Sequence, residues 1–256
     1  MRITSVINGK GGVAKTSTVH ALSTGLIKKG YKALAIDFDR QGNLSLAFGS
    51  DSKKAPTLYH VINGDVSISE AIQETPQGYI IAGNSSLGKI EALYTGTNYL
   101  KGIKQLKNHL STLKGFTHVI IDNAPNIAGL QALQSLTSAT DIVVPMTAEA
   151  FSAQGVTDLQ EAYENVKEDF NPTLKIAGIL ISRHNPRILI SSKISSDLHK
   201  WAKNHNTLVY KTFIREGVSV KESQLIKKSL FDYAPTSNPA LDYLAFIEEY
   251  LQQGVS

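Results

Sequence analysis

The stretch NGKGGVAKTST, Asn8 to Thr18, holds the residue types a chain needs to grip a polyphosphate. The phosphate-loop spacing is Gly, four residues, Gly, Lys, then Ser or Thr. Gly9 opens that spacing and Lys15 and Thr16 close it, with Ala14 where the second Gly would stand. In such a turn the backbone N–H groups converge on one concavity, and the helix that follows adds positive potential. Gly9, Gly11 and Gly12 supply the permissive backbone, and Val13, Ala14 and Ser17 complete the lining. Lys15 would reach the β- and γ-phosphates of a nucleotide, and the Thr16 hydroxyl would bind Mg²⁺. The Ala14 methyl is expected to be tolerated with that residue in helical dihedrals, as the last position before a helix.

The cation needs further oxygen ligands, and the ends of apolar runs provide them. Asp37 and Asp39 lie in AIDFDRQGN, and Asp122 lies in HVIIDNAPN. An aspartate after a buried strand is the position that holds Mg²⁺, directly or through water. Taken singly, each could equally cap a turn; three beside one phosphate loop point to the metal. The expected metal set is Thr16, Asp39 and Asp122. Lys10 is superfluous within one chain, because Lys15 already serves the phosphates. It makes sense if it reaches a nucleotide in a second subunit, acting in trans as an arginine finger does.

These groups need strands that end at one edge. Ile3–Ile7 reads as a strand running into the loop, His20–Lys29 as a helix stopped by Gly30, and Ala33–Ile36 as a strand ending at Asp37. Further apolar runs occur at Val119–Ile121, at Ile142–Val144 closed by Pro145, at Ile176–Ile181 and at Leu208–Tyr210. Helical spacing lies between them at Asn98–Leu113, Gln131–Ser138 and Thr157–Phe170. Short, wholly apolar strands alternating with helices predict an α/β fold of the P-loop NTPase type, a mostly parallel sheet covered on both faces. Residues 50–97 read as short inserted elements within a single domain spanning 1–256.

Composition excludes several classes. Cysteine is absent, so there is no disulfide framework, thiolate zinc site or cysteine-held cluster. The seven histidines show no ligand spacing, and Trp201 reads as core. No run approaches the roughly 20 apolar residues that span a bilayer, and no signal-peptide region precedes the glycines, which reads as a soluble cytoplasmic protein. Between Arg183 and Lys228 ten lysines and arginines face three acidic residues, +7, leaving −3 for the rest of a chain of net charge +4. Such a stretch suits a polyanion or a solvated surface.

With these residues in place the chain resembles the ParA/MinD group of P-loop ATPases, whose deviant loop reads KGGxxK followed by Thr or Ser. IDFDRQGN is similar to that group's VDxDPQGN, HVIIDNAPNIAGL to YIIIDTPPNLG, VVPMTAEAFSAQGVTDL to IPVQPEYFALEGLxxL, and TFIREGVSVKES to IRExxxxxES. The likeness spans the chain, is strongest to the ParA branch, and starts at the first strand without a helix-turn-helix arm. It implies ATP and Mg²⁺ as cofactors, and a slow ATPase that dimerises with ATP. It also implies that the dimer binds nonspecific double-stranded DNA, and that a ParB-like centromere-binding partner stimulates hydrolysis in plasmid partition or chromosome segregation at the nucleoid. By the same resemblance Lys10, Lys15 and Asp39 are catalytic, Asp39 placing the attacking water. The segment Phe213–Ser219, including Arg215, would hold adenine. Arg187 and Arg215 would contact DNA, with Lys193 and Lys221 beside them. Three residues depart from the pattern: Arg40 for proline, and Asn123 and Ala124 for Thr-Pro.

The alternatives are positioning ATPases that act on a membrane or protein surface, and metabolic enzymes of the same fold. A membrane reading would need a basic amphipathic C-terminal helix. Here Leu241, Leu244, Ile247 and Leu251 share a face opposite Asp242, Glu248 and Glu249, which predicts a helix docked on the core and no stable membrane association.

Overall fold

A computed structural model of the chain describes residues 1–53, 56–147, 153–184 and 192–253. Seven strands form one sheet: β1 (Arg2–Val6), β2 (Ala33–Phe38), β3 (Ile72–Thr75), β4 (Gly78–Ile81), β5 (His118–Asn123), β6 (Asp141–Met146) and β7 (Lys175–Ile181). Their order is β3-β4-β2-β5-β1-β6-β7, parallel throughout except for the antiparallel edge strand β3. Every residue of β2 and β5 is buried, as strands covered on both faces require.

The helices cover the sheet in three packed clusters. On one face α1 (Lys15–Lys28) and α11 (Asn238–Gln252) contribute Val19, Leu22, Leu26, Tyr243, Phe246 and Tyr250. The second cluster gathers α6 (Leu130–Ser138), α7 (Ala153–Asp169) and α8 (Ser192–Asn204) around β6 and β7. The third holds α3 (Leu58–Asn63), α4 (Ile90–Leu93) and α5 (Tyr99–Thr112) against β2 and β5, and the short α9 (Val218–Leu225) and α10 (Leu230–Tyr233) join the first. The inserted region 50–97 therefore adds β3 and β4 to the same sheet and α3 to the same core.

Four expectations need correction. The first helix begins at Lys15, not His20, so the loop runs directly into it. Pro145 lies inside β6 and does not close it. Val143 accepts from the Ile7 N–H, so Pro145, two residues on, directs its missing donor to the side where β1 has already left the ladder. Leu208–Tyr210 makes only an isolated bridge, Val209 to Ile179. On α11, Leu241 is 49% exposed and leaves the expected face, while Ile247 is buried, Leu244 and Leu251 pack against the core, and Tyr243, Phe246 and Tyr250 add to that face.

That helix is held by its acidic residues as well as its apolar ones. Asp242 pairs with Arg215, Glu248 with Lys29, and Glu249 accepts from the Lys211 and Thr212 amides. Its close approach to α1 depends on Gly25, where a Cβ would lie 2.2 Å from Ile247 Cδ1. At the far end of the sheet Arg2 donates to Asp141 (2.6 Å) and to the Tyr250 carbonyl (2.7 Å), tying the first strand to the last helix. No helix among the described residues is long and apolar enough to cross a membrane.

Candidate active site

Strand β1 lies between β5 and β6; the chain leaves it toward β2 on one side, while β5 continues to β6 on the other. Ligands of open α/β sheets bind at the carboxyl ends of strands where the order reverses in this way. The loop Ile7–Ala14 rises from that point. Asn8, 5% exposed, staples it: its Oδ1 accepts from the Lys10 N–H (2.9 Å), and its Nδ2 donates to the Pro145 carbonyl (2.9 Å). Asn8 was not singled out from sequence, although an Asn before a glycine turn is a known signal for such a bond.

Gly12 has φ +76°. Ala14 has φ 66° and ψ 28°, a left-handed conformation, which corrects the expectation of helical dihedrals. The residue matching the last loop glycine thus keeps a glycine-like backbone without being glycine, at a cost of about 1–2 kcal/mol. Gly9 is closely packed: a Cβ there would meet Ile127 Cδ1 at 3.2 Å, so that side chain would have to shift by a few tenths of an ångström. Val13 is buried in the second core cluster, so only its backbone is available to a ligand.

Lys15 is 8% exposed, and its ammonium donates to the Lys10 carbonyl (2.9 Å). Burial lowers its pKa, opposed by the charges of Asp122 and then Asp39. Lys10 itself is exposed and does not line the cleft. The two lysines thus have different surroundings: one is sunk in the site, and the other is directed outward at its rim.

Asp37 and Asp122 sit opposite each other in register at the ends of β2 and β5. Their roles separate by hydrogen bonding. Asp37 accepts from the Ser45 N–H (2.8 Å), the Ser45 hydroxyl (2.6 Å) and the Asp39 N–H (3.2 Å). It organises the turn into α2 (Asn43–Phe48), and burial lifts its pKa to about 6 against those bonds. Neither buried oxygen of Asp122 has an aligned partner. Burial raises its pKa well above the carboxylate range, the Asp37 carboxyl adds to this, and the nearby Thr16 hydroxyl opposes it. A buried carboxylate without donors is unfavourable unless a cation arrives. Among the described residues no group of three or more histidine or acidic side chains could hold a metal alone. Two protein oxygens, from Thr16 and Asp122, with phosphate and water completing the shell, suit Mg²⁺. Asp39 is partly exposed on the cleft wall, and one of its oxygens accepts from Gln41 N–H (2.9 Å).

The cleft has a volume of about 780 Å³. One wall carries Asp39, Arg40, Gln41, Asn43 and Glu91; the other carries Ile214, Arg215, Glu216, Gly217, Val220, Lys221 and Tyr243. Arg40 is exposed on the first wall, its stem near Gly88. Asn123 turns its Nδ2 toward Ser5 Oγ and the Val6 carbonyl (both 3.0 Å), locking β5 to β1, while its buried Oδ1 has no partner. Ala124 lines the cleft.

Other expected residues fall as follows. Thr16, Ser17 and Lys221 line the cleft. Phe213 does not; it lies 41% exposed against the His184 ring (5.4 Å), and the wall is built by its successors. Arg215 lines the cleft while its guanidinium is held by both Asp242 oxygens (2.9 and 2.6 Å). Arg187 and the Lys193 side chain lie outside the described residues. Trp201 is partly buried against the second core cluster, as expected.

The AAA_31 family, an AAA domain, matches residues 1–176. The chain belongs to this family, in the ParA/MinD group of ATPases. It is 28% identical over 259 residues to the chromosome partitioning protein ParA of Caulobacter vibrioides, covering 99% of this chain and 95% of that one. It is 28% identical over 251 residues to the chromosome-partitioning ATPase Soj of Thermus thermophilus, covering 98% and 96%. Among solved structures it superposes with a TM-score of 0.85, at 30% identity and over 100% and 96% of the two chains, on cobyrinic acid a,c-diamide synthase from Mycobacterium smegmatis with bound ATP analog and magnesium.

Proposed function

We propose that the chain is a DNA-partition ATPase. It binds ATP with Mg²⁺ and hydrolyses it slowly until stimulated. Lys15 and the loop amides neutralise the phosphates, Thr16 and Asp122 hold the cation, and Asp39 orders the attacking water. The observation that carries the reading is the pair of lysines: Lys15 buried against the phosphate loop, and Lys10 exposed at its rim. An outward lysine on a phosphate loop has its use in a second subunit. ATP then assembles a dimer with both nucleotides between the protomers. The dimer binds nonspecific duplex DNA through phosphate contacts from the basic segment, with Lys221, Arg187 and Lys193 contributing. A ParB-like partner triggers hydrolysis and release. Among the described residues Arg183 pairs with Glu216 and Arg215 with Asp242, so both guanidinium groups are already engaged within the chain.

The test is binding to a random-sequence duplex with no nucleotide, with ADP and with ATP–Mg²⁺ across a salt series, beside Arg187→Ala and Lys221→Ala. ATP-dependent binding that weakens steeply with salt and falls in the variants is expected. Absence of binding in every nucleotide state would reject DNA as the track and favour a protein surface. Light scattering of Lys10→Ala tests the dimer, which is expected to fail to form with ATP. The synthase similarity raises an amide-forming enzyme as a rival; the partition reading predicts ATP hydrolysis to ADP and phosphate with no amine or carboxylate substrate present.

A further inference from the structure

Residues Ser182 to His184, at the end of β7, stitch the phosphate loop to the opposite cleft wall. The Ser182 hydroxyl donates to the Val13 carbonyl (2.8 Å). The His184 N–H donates to the Ile214 carbonyl (2.8 Å), and the Glu216 N–H returns to the His184 carbonyl (3.1 Å). Between these pinned neighbours Arg183 has φ +52°, a left-handed conformation that costs a non-glycine residue strain. Its guanidinium spans the gap: Nη1 donates to the Gly12 carbonyl (3.1 Å), and Nη2 and Nε donate to Glu216 Oε1 (2.7 and 3.1 Å). The side chain is 47% exposed, so this strap can open and reclose, unlike the buried link through Ser182.

We infer that Arg183 is a positioning residue that sets the spacing between the phosphate loop and the 214–217 wall, and so governs affinity for the nucleoside end of the nucleotide. Its charge is matched by Glu216, and it engages the carbonyl side of the loop, whereas phosphate binds the amide side. It therefore adds little to phosphate binding. With phosphates at Lys15 and Thr16, a base has two directions to take. Toward Asp39, Arg40, Gln41, Asn43 and Glu91 the wall offers only polar and charged side chains; the 214–221 wall also carries Arg215, Glu216 and Lys221, but it sets Ile214, Gly217 and Val220 among them, an apolar patch that suits a flat ring. That second wall is the one the strap holds.

The test compares Arg183→Ala, Arg183→Lys and Glu216→Gln for affinity toward ADP and toward inorganic tripolyphosphate, with KM and kcat for ATP. Each variant should weaken ADP about threefold to tenfold, the range of a charge-assisted bond at a half-exposed site. Tripolyphosphate affinity should stay within about twofold, and KM should rise while kcat holds, as for lost uniform binding. The double variant Arg183→Ala/Glu216→Gln should add nothing to either single change, because both break one bridge. Lysine keeps the charge but replaces the rigid guanidinium fork by one flexible ammonium, so it should recover little of the bridge. Equal weakening of ADP and tripolyphosphate would overturn the inference in favour of a phosphate-binding arginine. Unchanged ADP affinity, or wild-type behaviour of Arg183→Lys, would overturn it as well. If Arg183→Ala fails to fold, the Lys and Gln variants carry the same comparison.

Discussion

Replacing Ala14 by Gly tests the geometry of the phosphate loop directly. At φ 66°, ψ 28° an alanine bears a left-handed backbone whose cost is about 1–2 kcal/mol for an L-residue. Glycine removes that cost and returns about 0.4–1 kcal/mol through the greater freedom of the unfolded chain. The balance is a stabilisation between about 0 and 1.6 kcal/mol. The same exchange at a helical position costs about 1 kcal/mol, so the two geometries differ in sign. For a chain of 256 residues the gain corresponds to a rise in Tm of up to about 3 °C. Ala14→Val should move the other way by about 1 kcal/mol or more, because a β-branched side chain tolerates positive φ poorly. Urea and thermal unfolding without nucleotide measure both. A loss of 1 kcal/mol or more in Ala14→Gly would refute the left-handed assignment and restore a helical residue there.

Asp122→Asn removes a buried carboxylate that has no partner, so the ligand-free protein is expected to gain on the order of 1 kcal/mol in urea unfolding while Mg²⁺ no longer strengthens nucleotide binding; a destabilised variant would contradict the assignment. Gly25→Ala sets a Cβ 2.2 Å from Ile247 Cδ1 and 3.0 Å from Phe231, and should cost about 1–2 kcal/mol after its gain in helix propensity, with Ile247→Val restoring part of it in a double-mutant cycle. His118 is buried beside Arg2, and burial first, then Arg2 and the N-terminus, push its pKa to about 4. It stays neutral in the fold while the unfolded chain takes up a proton near pH 6.5, so stability falls as pH drops from 6.5 toward 4, by about 1 kcal/mol between pH 7 and 5.5. Asp37, raised to about 6, titrates in the opposite sense, its destabilisation growing as pH rises from 3.8 toward 6. The quantity to measure is therefore the difference between wild type and His118→Gln at the two pH values, and a difference that does not change with pH would remove His118 as the cause.

Most of the fold was legible in the sequence because its strands are short, apolar and regularly spaced by helices. Val119–Ile121 and Ile176–Ile181 lie within β5 and β7, and Gln131–Ser138 differs from α6 by one residue. The errors have local physical causes. Pro145 reads as a stop until one knows that its missing donor points past the end of β1. The start of α1 is hidden because Lys15, Thr16 and Ser17 lack an apolar face, yet loop geometry and not amphipathicity sets that end. Spacing alone put Lys15, Thr16 and Asp122 forward, and the structure sets these three side chains beside one another. The supports were not. Asn8, Ser45 and Arg183 act through bonds to backbone groups 137, 38 and 171 residues away, and no local pattern announces such partners.

Asp37 and Asp122 show why spacing alone ranks candidates poorly. Both follow apolar strands, both are wholly buried, and they face each other in register. Sequence treats them alike. What separates them is the set of donors each meets. The three donors on Asp37, from Ser45 and Asp39, consume its oxygens in shaping the turn that carries Asp39. Asp122 meets no aligned donor, and only the nearby Thr16 hydroxyl and Lys15 ammonium offset its charge. One carboxylate spends its hydrogen-bonding capacity on positioning, and the other has it free for the cation of the proposed function. The left-handed Ala14 and the strained Arg183 line the cleft, Asp122 is buried beside its lining residues Lys15 and Thr16, and all three lower the stability of the ligand-free chain. A cation that relieves even one of these adds to the stability of the folded state through binding, by RT ln(1 + [L]/Kd). The stabilisation of wild type by Mg²⁺–ADP over ADP alone should therefore vanish in Asp122→Asn and persist in Asp37→Asn wherever that variant folds. Equal loss in both would mean that the two carboxylates share the cation and that the donor count does not divide their roles.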